Sequence, residues 1–419
     1  MNIAIVGAGI AGVSTALELI SDGHQVTIFE QLNASAEGSS FAPGGWLSPC
    51  DLHALCTPGQ GMPWQQMRRS IHTLQGNTLI GSTAWRWLRQ WKLREKLAHQ
   101  QGHSLHHTAL QALSCYSTHL RSAYSLTQSP ALDLEIRNGH LILFRQQKDY
   151  DFWAEQLPKL QEYMPCSLWS MEQCQQQEPA LHIATSAAGA LYFPSGQTIN
   201  PRLWTQQLRQ HALAQGVRIH TGHKVSAIQP HTVSLCIDNK TLQCDHIILC
   251  TGSSLELLQQ LNLYLPTLPV AGYSITTPIR DALLAPRNSL MDWSHQAIIS
   301  RLEQRVRITA GTELNQTAST PHQEPTLRRM YNLLNDWFPG GLQLASTQAQ
   351  VWKGSRLYLP DGLPALGPTQ HPHIWLNTAH GQHGFALANG CARALADMIS
   401  SRVPAIDTQA FAPQRFART

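Results

Sequence analysis

The stretch from Ile3 to Glu30, IAIVGAGIAGVSTALELISDGHQVTIFE, constrains the fold most, because it reads as a complete strand, turn, helix and strand unit. Ile3, Ala4, Ile5 and Val6 form a short apolar run of the kind that a parallel sheet buries on both faces. Gly7, Gly9 and Gly12 follow at G-x-G-x-x-G spacing. Gly7 permits a sharp turn, Gly9 leaves no side chain between the backbone and a pyrophosphate, and Gly12 lets the helix pack closely on the strand. The helix carries Ala16, Leu17, Leu19 and Ile20 on its apolar face and is stopped by Gly23. Its N-terminus, with unpaired N–H groups and the positive dipole end, favours a diphosphate anion. Val26 to Phe29 reads as the second strand, and Glu30 ends it where an acid accepts hydrogen bonds from a ribose diol. Dinucleotide binding is therefore predicted, and this unit alone leaves FAD and NAD both open.

A chain of 419 residues, 42% hydrophobic, exceeds one ordinary domain. Charged residues make up only 13%, and the formal charge of +4 is scattered without a basic run, which argues against a nucleic-acid partner. Nine cysteines without a C-x-x-C pair indicate neither a disulfide framework nor a zinc site, and the 21 histidines show no metal-ligand spacing, so no metal is expected. No apolar run is long enough to span a membrane, and the first strand follows Met1 closely, so a cytoplasmic protein is expected.

Further along, the Asn33–Pro49 loop holds SSFAPGGWLSP, in which Ser39, Ser40, Gly44 and Gly45 allow the backbone to run beneath a flat ring. WRWLRQWKLREKL at 85–97 predicts a helix with Trp85, Leu88, Trp91 and Leu97 on one face, packed on the core or touching a membrane surface. Pro201 opens and Gly216 closes a further helix. Asp245–Cys250, a buried strand before Thr251 and Gly252, returns the chain to the nucleotide domain. Runs at 270–278, 289–292, 297–301 and 306–312 read as antiparallel strands of a second domain. The last strand, glycine turn and helix mirror the opening unit. The domains are thus expected to interleave: 1–80, 199–265 and 351–419 for the nucleotide, and 81–198 and 266–350 for the substrate. The expected class is α/β, a Rossmann-like domain interleaved with an α+β domain on a mostly antiparallel sheet.

VGAGIAG with Glu30, LSP at 47–49, AGYSITTPI at 271–279, SRLEQRVRITAGTE at 300–313, WKGSRLYLPDGLPALG at 352–367 and LNTAHGQHGFALANG at 376–390 together resemble the FAD-dependent amino acid oxidase superfamily. Within it, the pattern is most similar to the small subunit of bacterial D-amino-acid dehydrogenases. The resemblance implies non-covalent FAD held along the parallel-sheet domain. By matching position, it places Gly7, Ala8, Gly9, Ile10, Ala11, Gly12, Glu30 and Gln31 at the ADP half, Val225 beside the adenine, and Thr251 and Gly252 near the diphosphate. Gly44 and Gly45 are placed beside the flavin, and Ser39, Ser40, Trp46, Leu47 and Gly354 are counted with the cofactor-binding residues. His380, Gly381, Gln382, His383 and Gly384 open the last helix toward the flavin N1/O2 edge.

For the substrate, the resemblance puts Arg356 at the carboxylate, as a bidentate cation, with Tyr273 as a second donor and His383 along the ring. It implies oxidation of a small amino acid by hydride loss from the α-carbon to flavin N5, giving a 2-oxo acid and ammonia. The alternatives left open are secondary or cyclic amines such as D-proline, hydroxyproline, sarcosine or glycine, and a flavin subunit that only passes electrons. A quinone or other electron-transfer acceptor, with peripheral contact at the inner face of the membrane through the 85–97 helix, is the corollary. Three departures lie near the substrate: Ala271 where the dehydrogenases have Lys, FAPGGW for AANAGQ, and HGQHGF for HGTLGW.

Overall fold

The computed structural model describes residues 1–47, 82–100, 104–127, 134–162, 164–182, 187–315, 317–322, 324–345 and 347–416. The chain opens with β1 (Asn2–Val6), α1 (Ile10–Ser21), β2 (Gln25–Glu30) and the short β3 (Trp46–Leu47). Next come α2 (Ser82–Gln100), α3 (Ser104–Thr127), β4 (Arg137–Phe144), α4 (Gln147–Gln161), β5 (Ser167–Trp169), α5 (Met171–Gln177) and β6 (Gly189–Thr198). Then follow α6 (Pro201–Ala214), β7 (Arg218–Thr221), β8 (Val225–Gln229), β9 (Ser234–Ile237), β10 (Lys240–Gln243), β11 (His246–Leu249) and α7 (Glu256–Gln260). Strands β12 (Leu268–Pro278), β13 (Ser289–Asp292), β14 (Ala297–Leu302) and β15 (Arg305–Leu314) precede α8 (Glu324–Trp337). The last stretch holds β16 (Gln350–Tyr358), β17 (Ala365–Pro368), β18 (Ile374–Thr378) and α9 (Gly384–Ile399).

Among the described residues the strands form three sheets. The first has the order β17-β18-β11-β1-β2-β7 and is parallel except at β17. β1 sits at its centre, with Ile5 opposite both Ile248 and Ile28, which is why its apolar run is unbroken. Ile3 and Ile5 face a core made by α1, α6 and α9, whereas Ala4 and Val6 face a layer that includes β8 and β9 of the small antiparallel sheet β10-β9-β8. The N-cap of α6 is Asn200, whose Oδ1 accepts from the backbone N–H of Arg202 and Leu203 while Pro201 occupies the first turn.

The second large sheet is nine-stranded and runs β16-β12-β15-β14-β13-β4-β6-β3, with β5 on β6. It is antiparallel except where β13 meets β4. One of its faces buries Ile275, Ile299 and Ile308 against Leu327, Met330, Leu334 and Trp337 of α8. Two segments sit differently from their sequence-drawn boundaries: β3 pairs with β6, and β16 pairs with β12, so Trp46–Leu47 and residues 351–358 belong to the nine-stranded sheet. The cause is that each strand's hydrogen-bond partner lies in the other portion of the chain, which composition does not reveal.

The Trp-rich helix α2 is rotated from the sequence-predicted face. Ala84, Trp87 and Trp91 are buried against Leu268, Val270 and Tyr358, with Leu88 packed beside them, while Trp85 is 64% exposed. The spacing 84, 87, 88, 91 follows the helical period more closely than 85, 88, 91 combined with the charged neighbours. The side chain of Leu97 lies outside the described ones.

Candidate active site

Each glycine of the first turn is required for a different reason. Gly7 has φ +107°, and a Cβ on it would lie 2.3 Å from the Cys250 carbonyl oxygen. A Cβ on Gly12 would lie 1.9 Å from the Gly7 carbonyl oxygen, so α1 packs on the turn itself. At Gly9 the nearest atom would be Ser40 Oγ at 3.3 Å, leaving room for a ligand. Gly9 is also the N-cap of α1 and makes no side-chain cap, so first-turn N–H groups are left for an anion. Ile10 N donates to Ser40 Oγ at 3.1 Å, tying the Ser39–Ser40 loop to the helix start. Glu30 is 9% exposed and braces the same turn, accepting from Ala8 N at 2.7 Å and from Leu32 N at 2.9 Å. A carboxylate offers about four acceptor sites, so acceptor capacity remains for a ribose.

The closing turn is fastened to the opening one. Asn377 Nδ2 donates to Thr15 Oγ1 at 2.9 Å, and Asn377 Oδ1 pairs with His380 Nε2 at 2.7 Å. Burial pushes His380 down to about 4, so the ring is neutral and the positive end at this turn is the N-terminus of α9. Gly381 has φ +56°, and His383 is 4% exposed at the N-cap of α9. Further back along the helices, Arg393 of α9 joins Glu18 of α1 at 2.7 Å and Asp22, the C-cap of α1, at 2.5 Å, and Tyr124 donates to Glu18 at 2.8 Å. Burial raises Glu18 despite these partners, whereas Arg393 and Arg402 outweigh burial at Asp22 and lower it.

Between the two turns lies a cavity of ≈1390 Å³. It is lined by Gly7, Gly9, Ile10, Ala11, Glu30, Gln31, Ser39, Ser40, Gly44, Gly45 and Trp46, by Val225, Thr251, Gly252 and Gly354, and by His380, Gly381, Gln382, His383 and Gly384. Three of the cofactor residues drawn from the sequence stand behind this wall. Ala8 is fully buried with its N–H on Glu30, Gly12 is beneath the turn, and Leu47 is 3% exposed in the core. An extended dinucleotide fits this cradle, because a Cβ at Gly9 would intrude on space that the fold keeps open.

Arg356 and Tyr273 both border the cavity, but their side chains part company. The register pairs Val270 with Arg356, Gly272 with Gly354 and Tyr273 with Lys353, so strand alternation puts Arg356 on the face of Gly272 and Tyr273 on the opposite one. Tyr273 is 1% exposed; its hydroxyl donates to Glu313 Oε1 at 2.7 Å, and Lys353 Nζ lies 2.8 Å from Glu313 Oε2. Arg356 reaches across β12, since a Cβ on Gly272 would stand 2.9 Å from its Nη2. Among the described residues Arg356 is in no ion pair. Arg301, at the C-terminal end of β14, donates instead to the carbonyls of Glu303 and Pro286.

Sequence reasoning missed Gly272, although it lies inside AGYS, because only the register shows that the arginine crosses it. It also missed Ser300 and Arg307, which hold the Gly44–Gly45 loop and whose partners are far away in sequence.

A family model described as "FAD dependent oxidoreductase" matches residues 2–398. The chain is 32% identical over 428 residues to a D-amino acid dehydrogenase of Bradyrhizobium diazoefficiens, covering 100% of this chain and 99% of the relative. It is 30% identical to D-amino acid dehydrogenase 1 of Mesorhizobium japonicum, covering 100% of both. Among solved structures it is similar to glycine oxidase from Geobacillus kaustophilus, with TM-score 0.73, 19% identity and 99% of each chain covered.

Proposed function

The chain belongs to the FAD-dependent oxidoreductases matched above, and from that premise we propose that it oxidises D-amino acids to 2-oxo acids and ammonia. The observation that carries the reading is Arg356, a cation without an ion pair among the described residues, reaching over Gly272 at the cavity wall. The full-length similarity to proteins named D-amino acid dehydrogenase supports it. Bound FAD supplies a two-electron acceptor at N5. Arg356 holds the substrate carboxylate through two parallel hydrogen bonds, which fixes the α-carbon. Gly272 lets the guanidinium lie across β12, Gly354 makes room for the Trp352 ring at the cavity wall, and Tyr273 braces β12 from behind through Glu313. The imino product is hydrolysed by water.

The same reading assigns the electrons to a quinone at the inner face of the membrane. No helix among the described residues is long and apolar enough to cross a membrane. The outer side of α2 supports a peripheral contact, with Trp85 and Leu93 exposed beside Arg89, Lys92 and Lys96. The test is a panel of D- and L-amino acids, glycine, sarcosine and D-proline, with dye, quinone and oxygen as acceptors. Fastest reduction by primary D-amino acids is expected; turnover confined to sarcosine or D-proline would replace the substrate assignment, and rapid peroxide formation the acceptor assignment.

A further inference from the structure

Arg307 is buried at 7% exposure on β15 and forms no ion pair among the described residues. Its Nε donates to Thr276 Oγ1 at 3.0 Å and its Nη1 to the Pro43 carbonyl at 3.2 Å. Ser300, paired with Arg307 across the sheet, donates from Oγ to the Gly44 carbonyl at 2.8 Å. The carbonyls of two successive peptides are therefore turned toward the sheet. In a trans peptide the N–H points opposite to the C=O, so the N–H groups of Gly44 and Gly45 are turned the other way. Pro43, Gly44 and Gly45 line the cavity, whereas Ser300, Arg307 and Thr276 do not. Gly45, with φ +72° and a would-be Cβ 2.1 Å from the Ile199 carbonyl oxygen, locks the loop in this orientation.

We propose that Arg307, assisted by Ser300, is a positioning residue that aims the Gly44 and Gly45 N–H groups at the ring of bound FAD and so raises its reduction potential. Two oriented donors and a fixed cation behind them favour electron density arriving on the ring, and inside a water-poor cavity such dipoles are little screened. Burial pushes Arg307 down to about 10, which still leaves it charged at neutral pH. The inference depends on FAD alone and not on which amine is oxidised.

The experiment is a dye-coupled reduction titration of the FAD-loaded protein without substrate, for wild type, Arg307→Met, Arg307→Lys and Ser300→Ala. Arg307→Met should lower the equilibrium constant for two-electron reduction about tenfold or more, a shift of about 30 mV to more negative potential. Arg307→Lys keeps the charge but cannot bridge both acceptors and should fall between Met and wild type, and Ser300→Ala should lose about threefold. Wild-type potentials in FAD-replete Arg307→Met and Ser300→Ala would overturn the proposal. If Arg307→Met fails to fold, Arg307→Lys and Ser300→Ala decide it on the same scale, unchanged potentials in both counting against it. Lys240→Met, which removes an exposed cation on β10 outside the cavity lining, serves as the control and should leave this substrate-free potential where it is.

Discussion

The opening turn and the arginine site are both built on glycines, yet they are made in opposite ways. At Gly7–Gly12, Gly12 answers to the turn itself and Gly7 to Cys250, the residue after the adjacent β11, while Gly9 opens toward Ser40 Oγ, so most of the device is set out in one short stretch of sequence. At Arg356 the needed glycine, Gly272, sits on another strand and meets the arginine only because β12 and β16 pair in one register. The first device is local steric design, whereas the second is a product of strand alignment, in which a slip by one residue would turn the arginine to the other face.

The comparison breaks most visibly in the opening turn. Gly12→Val places a side chain where backbone already stands, and loss of the folded cradle is expected as a large drop in the melting temperature of the apoprotein. Gly9→Val should instead leave the apoprotein melting near wild type, because φ −73° suits any residue, while abolishing FAD binding. If both variants melt alike, the division of labour among these glycines is wrong.

On the arginine side the effects are smaller and kinetic. Arg356→Met leaves a substrate carboxylate desolvated and unpaired, a loss of about 3–5 kcal/mol, or roughly 10² to 10⁴-fold in kcat/KM, with a normal flavin spectrum. Gly272→Ala should displace the guanidinium without removing it and cost about tenfold, chiefly in KM. Steady-state kinetics on the best D-amino acid checks both, and unchanged values for Arg356→Met would move the carboxylate site elsewhere.

The smallest effect probes the joint between the two turns. His380 is held down to about 4 against an ordinary 6.5, so between those values the unfolded chain binds a proton that the folded one does not. Stability is complete above about 6.5 and is lost as the pH falls toward 4, on the order of 1 kcal/mol for a partly exposed ring. Thermal melts from pH 7.5 to 4.5 should slope downward in wild type and less steeply in His380→Asn; equal slopes would remove the histidine from the account.

The same contrast explains what could be read from the sequence. Glycine spacing, an apolar run and a terminal acid specified the cradle, Glu30 and the interleaved strands, since each signal is short-range. Tyr273 was drawn to the substrate by its motif, yet alternation turns its hydroxyl to Glu313 and Lys353 on the far face. The buried face of α2 was misjudged because Trp85, Trp87, Leu88, Trp91 and Leu93 offer more than one apolar stripe, and contact with Leu268 and Val270 decides the winner. In SRLEQRVRITAGTE, Arg307 stands beside Arg301 and Arg305 with nothing in the sequence to tell them apart; its burial and its bond to the distant Pro43 carbonyl set it apart.

The clamp of Arg393 on Glu18 and Asp22 has a consequence for biosynthesis. When β11 leaves the ribosome, β1, β2 and β7 have neighbours, but β18, which completes the central sheet, is still unmade. At about 5–20 residues per second, the interval between residues 249 and 378 lasts roughly 6 to 26 s. Throughout it, the carboxylates of α1 wait without their guanidinium and the flank of β11 stands bare, an edge that invites pairing with other nascent chains. The cavity wall, which includes His380 to Gly384, is therefore complete only once α9 has packed on α1.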